Sequence, residues 1–191
     1  MHIGHRKILE FSGAWRSGNT IDEHDDILIE KINSVVNKGD QLWILGDCVF
    51  GKHNLTRLGD INCEHKKLIM GNHDNYNIRE FLPYFEDIKG VTNYKSFFLS
   101  HNPLSSPTDL RYAKLNIHGH THQAQIYPTH KQCEWVEPQP EKNFTFNVSV
   151  EALNGYPISV DAIRHIREME MMFDVVDYMK DHKYGGHRPI R

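Results

Sequence analysis

Four short segments of this sequence place potential metal ligands directly after apolar runs. They are Gly46-Asp47, Gly71-Asn72-His73-Asp74, Ser100-His101-Asn102-Pro103 and Gly119-His120-Thr121-His122. Imidazole, carboxylate and amide oxygen together suit Mn, Fe or Zn better than Mg or Ca, which prefer shells of oxygen alone. Each segment alone is a weak signal: Gly46-Asp47 and Gly71-Asp74 have an ordinary explanation as turns, because Gly, Asn and Asp are common turn residues, and His101 alone has one as a surface or hydrogen-bonded histidine. The specific signal is the presence of all four in one chain with 14 histidines.

The elements that must position these segments alternate between helix and strand in the first half of the chain. Residues 20–36 predict an amphipathic helix, with Thr20 as its cap and acidic residues in its first turn. The run QLWILGD at 41–47 predicts a strand buried on both faces, residues 55–61 a short helix, and KKLIMGNHD at 66–74 a second buried strand. This alternation predicts an α/β fold with polar groups at the carboxyl ends of its strands.

The second half is richer in strands. Strand-like runs occupy residues 87–94, 94–101, 114–122 and 143–151, and a helix is expected at 159–181. No repeat or linker divides the chain, so we expect one domain over 1–183 and a flexible basic tail over 184–191.

The composition indicates where the protein is located and which partners it can have. No apolar stretch is long enough to span a bilayer, the first residues do not form a signal peptide, and no membrane partner is expected. The three cysteines are odd in number and lack CxxC spacing, which favours a reduced compartment, and we expect the cytoplasm. A net charge of −3 gives no broad basic footprint for nucleic acid, which remains open as a substrate.

Taken in order, the four segments resemble the pattern of the calcineurin-like metallophosphoesterases: DxH, GDxx, GNHD or GNHE, a single His, and GHxH. The resemblance runs from His2 to about Ile158, and NVSVE and YPIS are similar to the small bacterial and phage members. It implies a four-layer α-β-β-α sandwich in which two mixed β-sheets pack face to face with flanking helices. It also implies hydrolysis of a phosphodiester or phosphomonoester, including nucleotides, by a metal-bridging hydroxide.

The resemblance further implies two divalent transition-metal ions, foremost Mn, with Fe or Zn as alternatives. The first ion would take His2, Asp47 and His122, and the second would take Asp47, Asn72, His101 and His120, with Asp47 bridging both. His73 matches the histidine of the family that contacts the phosphate, as general acid or as stabiliser of the transition state.

Further residues are weaker candidates for orienting ligands or contacting substrate: His5, Arg6, Asp74 and His118. Selectivity would come from loops, whose candidate wall residues are Arg6, Trp15, Arg16, Asn102, Arg111, Tyr112 and Trp135. We expect a small phosphoester or nucleotide as substrate.

The sequence departs from the family pattern at its start. Met1 stands at the x of DxH, so the aspartate and the strand before it are absent, and our leading hypothesis is an N-terminal truncation. If the loss is real, we expect a poorly filled first site and weak activity. The alternative function is then a catalytically impaired module that binds a nucleotide or partner.

Two other hydrolase classes fit the sequence less well. Metallo-β-lactamase-like enzymes use HxHxDH, but Gln123 follows His122 here. Histidine-triad hydrolases alternate His with hydrophobic residues, whereas Gly119 and Thr121 intervene.

Overall fold

Two β-sheets form the centre of the computed structural model, which describes residues 1–12, 16–110, 112–122 and 144–168. The first sheet has the order β1-β2-β3, and its described pairs are all parallel. The second has the order β4-β5-β6-β7, in which β4 and β5 are antiparallel and the other pairs parallel. The strands are β1 (Gln41–Leu45), β2 (His65–Ile69), β3 (Asp87–Lys89), β4 (Val91–Tyr94), β5 (Phe97–Ser100), β6 (Leu115–His118) and β7 (Thr145–Asn147).

The position of strand β1 explains its apolar run, because both faces of the strand are covered by other side chains. Leu42 and Ile44 belong to the hydrophobic cluster under the helices, while Trp43 and Leu45 belong to the cluster shared with the second sheet. Side chains alternate between the two faces of a strand, so a strand in an inner layer must be apolar at every position.

Helix α2 (Ile21–Val35) packs on the outer face of the first sheet. Its N-cap is Thr20, whose hydroxyl accepts a hydrogen bond from the backbone N–H of Glu23, and Leu28, Ile29 and Ile32 are buried beneath it. The helix predicted over 20–36 is therefore confirmed. The other helices are α1 (Ile8–Ser12), a 3-10 helix (Lys52–Asp60), α3 (Ile78–Phe81), a second 3-10 helix (Pro107–Leu110) and α4 (Val160–Glu168).

The prediction of a single strand-like run at 87–94 is wrong. The chain leaves the first sheet after β3 and enters the second sheet at β4, with Gly90 between them. Lys95 and Ser96 then form a two-residue hairpin with φ of 47° and 72°, so that Tyr94 pairs with Phe97. Two positive φ values in succession match the twist of an antiparallel pair of strands. The turn residues are Lys-Ser rather than the Asn-Gly that usually indicates such a turn.

A second hydrophobic cluster joins the two sheets. Ile69 of the first sheet packs with four side chains of β5 and β6 and with Ile163 of α4, and these four are Phe97, Leu99, Leu115 and Ile117. The expected α/β class, with two sheets and flanking helices, is therefore confirmed. Only residues 160–168 of the predicted terminal helix are described, and its remainder and the tail at 184–191 lie outside the described residues. None of the described helices is long and apolar enough to cross a membrane.

Truncating Leu68 tests the helix-side core. Its side chain is fully buried in β2, whereas Leu82 is 58% exposed. We expect Leu68→Ala to lower the free energy of unfolding by about 3 kcal/mol, because it removes buried surface and leaves a cavity. The matched Leu82→Ala change should stay within about 0.5 kcal/mol. Urea unfolding of both variants measures the difference, and equal losses would contradict this core assignment.

Candidate metal centre

The four chemistry-bearing segments all follow the carboxyl ends of strands. Asp47 follows β1, Asn72 follows β2, His101 follows β5, and His120 follows β6. Because β1 pairs in parallel with β2, and β5 with β6, the ends of each pair emerge at one edge of their sheet. The packing of the two sheets then brings the two edges together.

The backbone at this edge is strained. Four of the predicted ligands have φ in the left-handed region, which costs a side-chain-bearing residue of the order of 1 kcal/mol or more. They are His2 at 68°, Asp47 at 48°, His120 at 67° and His122 at 51°. Such strain gathers at functional sites, where the surrounding structure holds it in place.

Asp74 holds the first two loops against each other. One oxygen of its buried carboxylate accepts hydrogen bonds from the backbone N–H groups of Asp47 and Gly71, both at 2.8 Å. The other accepts from the backbone N–H of Cys48 at 3.0 Å and from its thiol at 3.1 Å. Gly71 allows this approach, since a Cβ there would lie 2.4 Å from Oδ1 of Asp47.

Potential ligand atoms converge around Nε2 of His101. Asn72 Oδ1 lies 2.9 Å from it, His120 Nδ1 3.1 Å and Asp47 Oδ2 3.3 Å. The donor atoms of Asp47, His101 and His120 all lie within 4.8 Å of one another. Ligands about 2.1 Å from a transition-metal ion are separated by about 3.0–3.4 Å, so these spacings fit a shared cation.

The hydrogen bonding of His101 also favours a cation at this position. Its Nδ1 lies 2.8 Å from the carbonyl oxygen of Leu45, which can only accept, so Nδ1 carries a proton. In a neutral ring, Nε2 then presents a lone pair to the oxygens of Asn72 and Asp47. That arrangement is repulsive unless a cation or a second proton lies among these atoms.

Two pKa shifts agree with this electrostatic picture. Burial would lower the pKa of His101, but its hydrogen bonds to Asp47 and to Leu45 outweigh burial and raise it. Burial would raise the pKa of Asp47, yet His101 and the backbone N–H of His73, 2.9 Å from Oδ1, hold it below its ordinary value. Asp47 is therefore an anion under ordinary conditions, as a metal ligand requires.

The residues predicted for the first ion lie beside those predicted for the second. His2 Nε2 is 3.6 Å from Asp47 Oδ2, and the rings of His2 and His122 have centroids 4.9 Å apart. The backbone N–H of His2 donates to the carbonyl of Asp47, and Ile3 forms a parallel bridge with Val49. His2 thus sits next to the carboxylate that would bridge both ions.

Phe50 is part of this site, although its sequence position did not predict it. Its ring stacks on His5 with a centroid distance of 4.0 Å and lies 5.1 Å from His2 and 4.8 Å from His73. This aromatic support fixes the surroundings of the exposed His73 side chain. A Phe two residues after Cys48 carries no sequence signal for such a role.

Arg16 is not a substrate-wall residue, and that prediction is wrong. Its buried guanidinium donates to Glu151 Oε1 at 2.8 and 3.0 Å and to the carbonyl of Met1 at 2.7 Å. Glu151, which also lies 2.7 Å from Nδ1 of His122, was missed as a residue of the site. The only signal for it was its position at the end of NVSVE.

The weaker candidates occupy different surroundings. His118 is buried with Nδ1 2.8 Å from the carbonyl of Gly119, within the loop that carries His120. Arg6 and Asn102 are exposed, and Tyr112 is 96% exposed. Three predicted wall residues, Trp15, Arg111 and Trp135, lie outside the described residues.

Comparisons with known proteins identify relatives whose names state no activity. No protein-family profile matches the chain. An "Uncharacterized protein MJ1445" of Methanocaldococcus jannaschii is 32% identical over 168 residues, 85% of this chain and 84% of its own length. The "Gene 66 protein" of Mycobacterium phage L5 is 30% identical over 167 residues, 68% of this chain and 78% of its own.

One solved structure has the same fold. The protein of unknown function AQ665 from Aquifex aeolicus gives a TM-score of 0.64 at 23% identity. The match covers 86% of this chain and 94% of that one. At this identity the likeness concerns the fold alone.

Removing the Asp74 carboxylate should be costly. We expect Asp74→Ala to lower the free energy of unfolding by about 3 kcal/mol or more, because three backbone N–H groups, those of Asp47 and Cys48 buried and that of Gly71 partly buried, lose their acceptor. Asp109→Ala, at an exposed position, should change it by less than about 0.5 kcal/mol. Denaturant unfolding compares the two, and a mild effect at Asp74 would refute its bracing role.

The buried His2 predicts acid sensitivity of the metal-free protein. Burial, which disfavours the imidazolium, lowers the pKa of His2 to about 2. An unfolded histidine takes up its proton near pH 6.5, so between these values the unfolded chain binds more protons. The titration of His2 therefore leaves the free energy of unfolding unchanged above about pH 6.5. Below that pH the free energy of unfolding falls as the pH falls, by up to about 1.4 kcal/mol per pH unit.

Unfolding in chelator between pH 7.5 and 4.5 tests this expectation. His2→Gln should show a shallower decline than the wild type, whereas His53→Gln, at an exposed site, should follow the wild-type slope. Equal slopes for wild type and His2→Gln would contradict it.

Proposed function

The chain belongs to one protein family with MJ1445 of Methanocaldococcus jannaschii and the gene 66 protein of Mycobacterium phage L5, and from that premise and its histidine centre we propose that it is a dinuclear metal-dependent phosphoesterase. The observation that carries the proposal is the set of ligand atoms around Nε2 of His101. The order of its metal-competent segments, similar to that of the calcineurin-like metallophosphoesterases, supplies the reaction class.

The donor set supports two adjacent divalent cations. One would be held by Asp47, Asn72, His101 and His120, and the other by His2, Asp47 and His122. Mixed nitrogen and oxygen donors favour Mn, with Fe or Zn as alternatives. Such a pair of ions supplies an activated water and neutralises charge on the phosphoryl oxygens.

Asp47 has the geometry expected of the shared ligand. Its Oδ2 faces both His2 and His101, at 3.6 and 3.3 Å, while Oδ1 is held by the backbone N–H of His73. The backbone of Asp47 is in turn fixed by Asp74. Its carboxylate therefore has little freedom to reorient, which favours ligand binding and a constant spacing of the two sites.

His73 is the chain's own candidate for proton transfer. Its backbone is tied to Asp47, and its ring lies against Phe50 and 6.1 Å from the ring of His2. The side chain is exposed, so a phosphoester lying over the ligand cluster can reach it. A histidine there can protonate the departing oxygen or stabilise developing charge on the phosphate.

The substrate class is a small phosphodiester or phosphomonoester, including nucleotides. The ligand side chains of Asn72 and His120 and the neighbouring His73 are exposed, which supports an accessible site. The ring of His5, stacked on Phe50, adds a further imidazole at its margin.

Hydrolysis of a chromogenic phosphodiester and of its monoester counterpart, with added Mn²⁺, tests the proposal. We expect metal-dependent turnover that chelator abolishes. His73→Ala should lower kcat by about 100-fold or more, the usual contribution of a general acid. Asp47→Asn should lose at least as much, because it removes the charge of the shared ligand.

The exposed His53 provides the matched control, and His53→Ala should retain wild-type activity. Turnover that survives Asp47→Asn unchanged would refute the proposed mechanism. Nucleotide binding without turnover would instead favour the alternative of a binding module.

A further inference from the structure

A chain of buried side chains lies behind His122. Nδ1 of His122 is 2.7 Å from Oε1 of Glu151, whose side chain is 1% exposed. The same oxygen receives two hydrogen bonds from Arg16, whose side chain is also 1% exposed. In an ion pair so deeply buried, loss of one charge leaves the other uncompensated.

The donors and acceptors among Arg16, Glu151 and His122 allow one consistent assignment of the proton on His122. The guanidinium of Arg16 can only donate, and an ionised Glu151 can only accept. Oε1 of Glu151 already accepts two N–H groups of Arg16, so the atom that faces His122 is an acceptor. Nδ1 of His122 must therefore carry the proton, which leaves Nε2 with the lone pair that a cation needs.

The same network reaches the segment that carries His2. Arg16 donates to the carbonyl of Met1 and contacts Nε2 of His24 at 3.1 Å. Nδ1 of His24 lies 2.8 Å from Asp25, whose other oxygen accepts the backbone N–H of Gly4 at 2.8 Å. One connected set of hydrogen bonds thus fixes the loops on both sides of the proposed first cation.

We propose that Glu151 and Arg16 are positioning residues for that cation, with Glu151 holding His122 in the Nδ1–H tautomer. This inference rests on the proposed function only in assuming that His122 binds a metal ion. An unconstrained neutral imidazole populates both tautomers in water, and a fixed carboxylate selects one of them. Losing such a partner typically costs 10- to 100-fold in metal affinity.

The tautomer can be measured without metal or substrate. Protein labelled with ¹⁵N-histidine is studied by long-range ¹H–¹⁵N NMR at pH 8 in chelator, and the His122 signals are assigned by their loss in His122→Asn. We expect the Nδ1–H pattern in the wild type and in Glu151→Gln, whose amide oxygen still accepts. Glu151→Leu should give a mixture of tautomers.

Metal titration provides a second measurement. We expect Glu151→Leu to weaken one of two Mn²⁺ or Zn²⁺ sites by about 10- to 100-fold and to leave the site of Asp47, Asn72, His101 and His120 unchanged. Lys66→Met is the matched control for lost stability, since it removes another buried charge, bonded to the carbonyls of Ile61 and Cys63. It should change neither the tautomer nor either affinity.

An Nε2–H tautomer of His122 in the wild type would overturn the inference, even if Glu151→Leu failed to fold. An unchanged tautomer and unchanged affinities in a folded Glu151→Leu would overturn it as well. Both measurements are independent of turnover, so a protein that hydrolyses no phosphoester can still support or refute this role of Glu151.

Discussion

The candidate metal centre depends on the hydrogen bonds that the carboxylate of Asp74 accepts from two neighbouring loops. Two parallel strands bring the turns after β1 and β2 to the same edge, but strands alone do not fix the direction of the side chains that follow them. Asp74 does so by accepting hydrogen bonds from the backbone of Asp47, Cys48 and Gly71. The bond to its backbone N–H helps to hold Asp47 at a positive φ, a conformation that a side-chain-bearing residue ordinarily avoids.

A second buried carboxylate performs the same task on the opposite side. Glu151 is paired with Arg16 and contacts His122, and it thereby ties the last ligand of the GHTH segment to the beginning of the chain. The candidate ligands lie between two polar networks whose central side chains, Asp74, Glu151 and Arg16, are buried. This arrangement gathers imidazole nitrogens and a carboxylate within a few ångströms, and a divalent cation would bind their lone pairs.

The location of the strain follows from the same constraint. Asp47, His120 and His122 adopt left-handed backbone conformations that a side chain ordinarily avoids, and each directly follows or lies close to a glycine. Packing of the two sheets through Ile69 and Ile117 holds these turns together. The hydrophobic core therefore offsets the local cost of these backbone conformations.

Local sequence determined the elements whose signals are short in range. The cap at Thr20 and the spacing of Leu28 and Ile32 specify helix α2, and the unbroken apolar run at 42–45 specifies an inner strand. The order of the metal-competent segments likewise indicated which side chains would meet, because the carboxyl ends of parallel strands share an edge.

Only the tertiary structure decided the features that depend on partners distant in the chain. Gly90 divides a strand-like run between two sheets because each half finds a different neighbour, β2 or β5. Arg16 is a buried ion-pair partner rather than a surface arginine because Glu151, 135 residues away, lies beside it. A sequence pattern records the preferences of each residue, whereas burial and pairing arise only when the chain closes on itself.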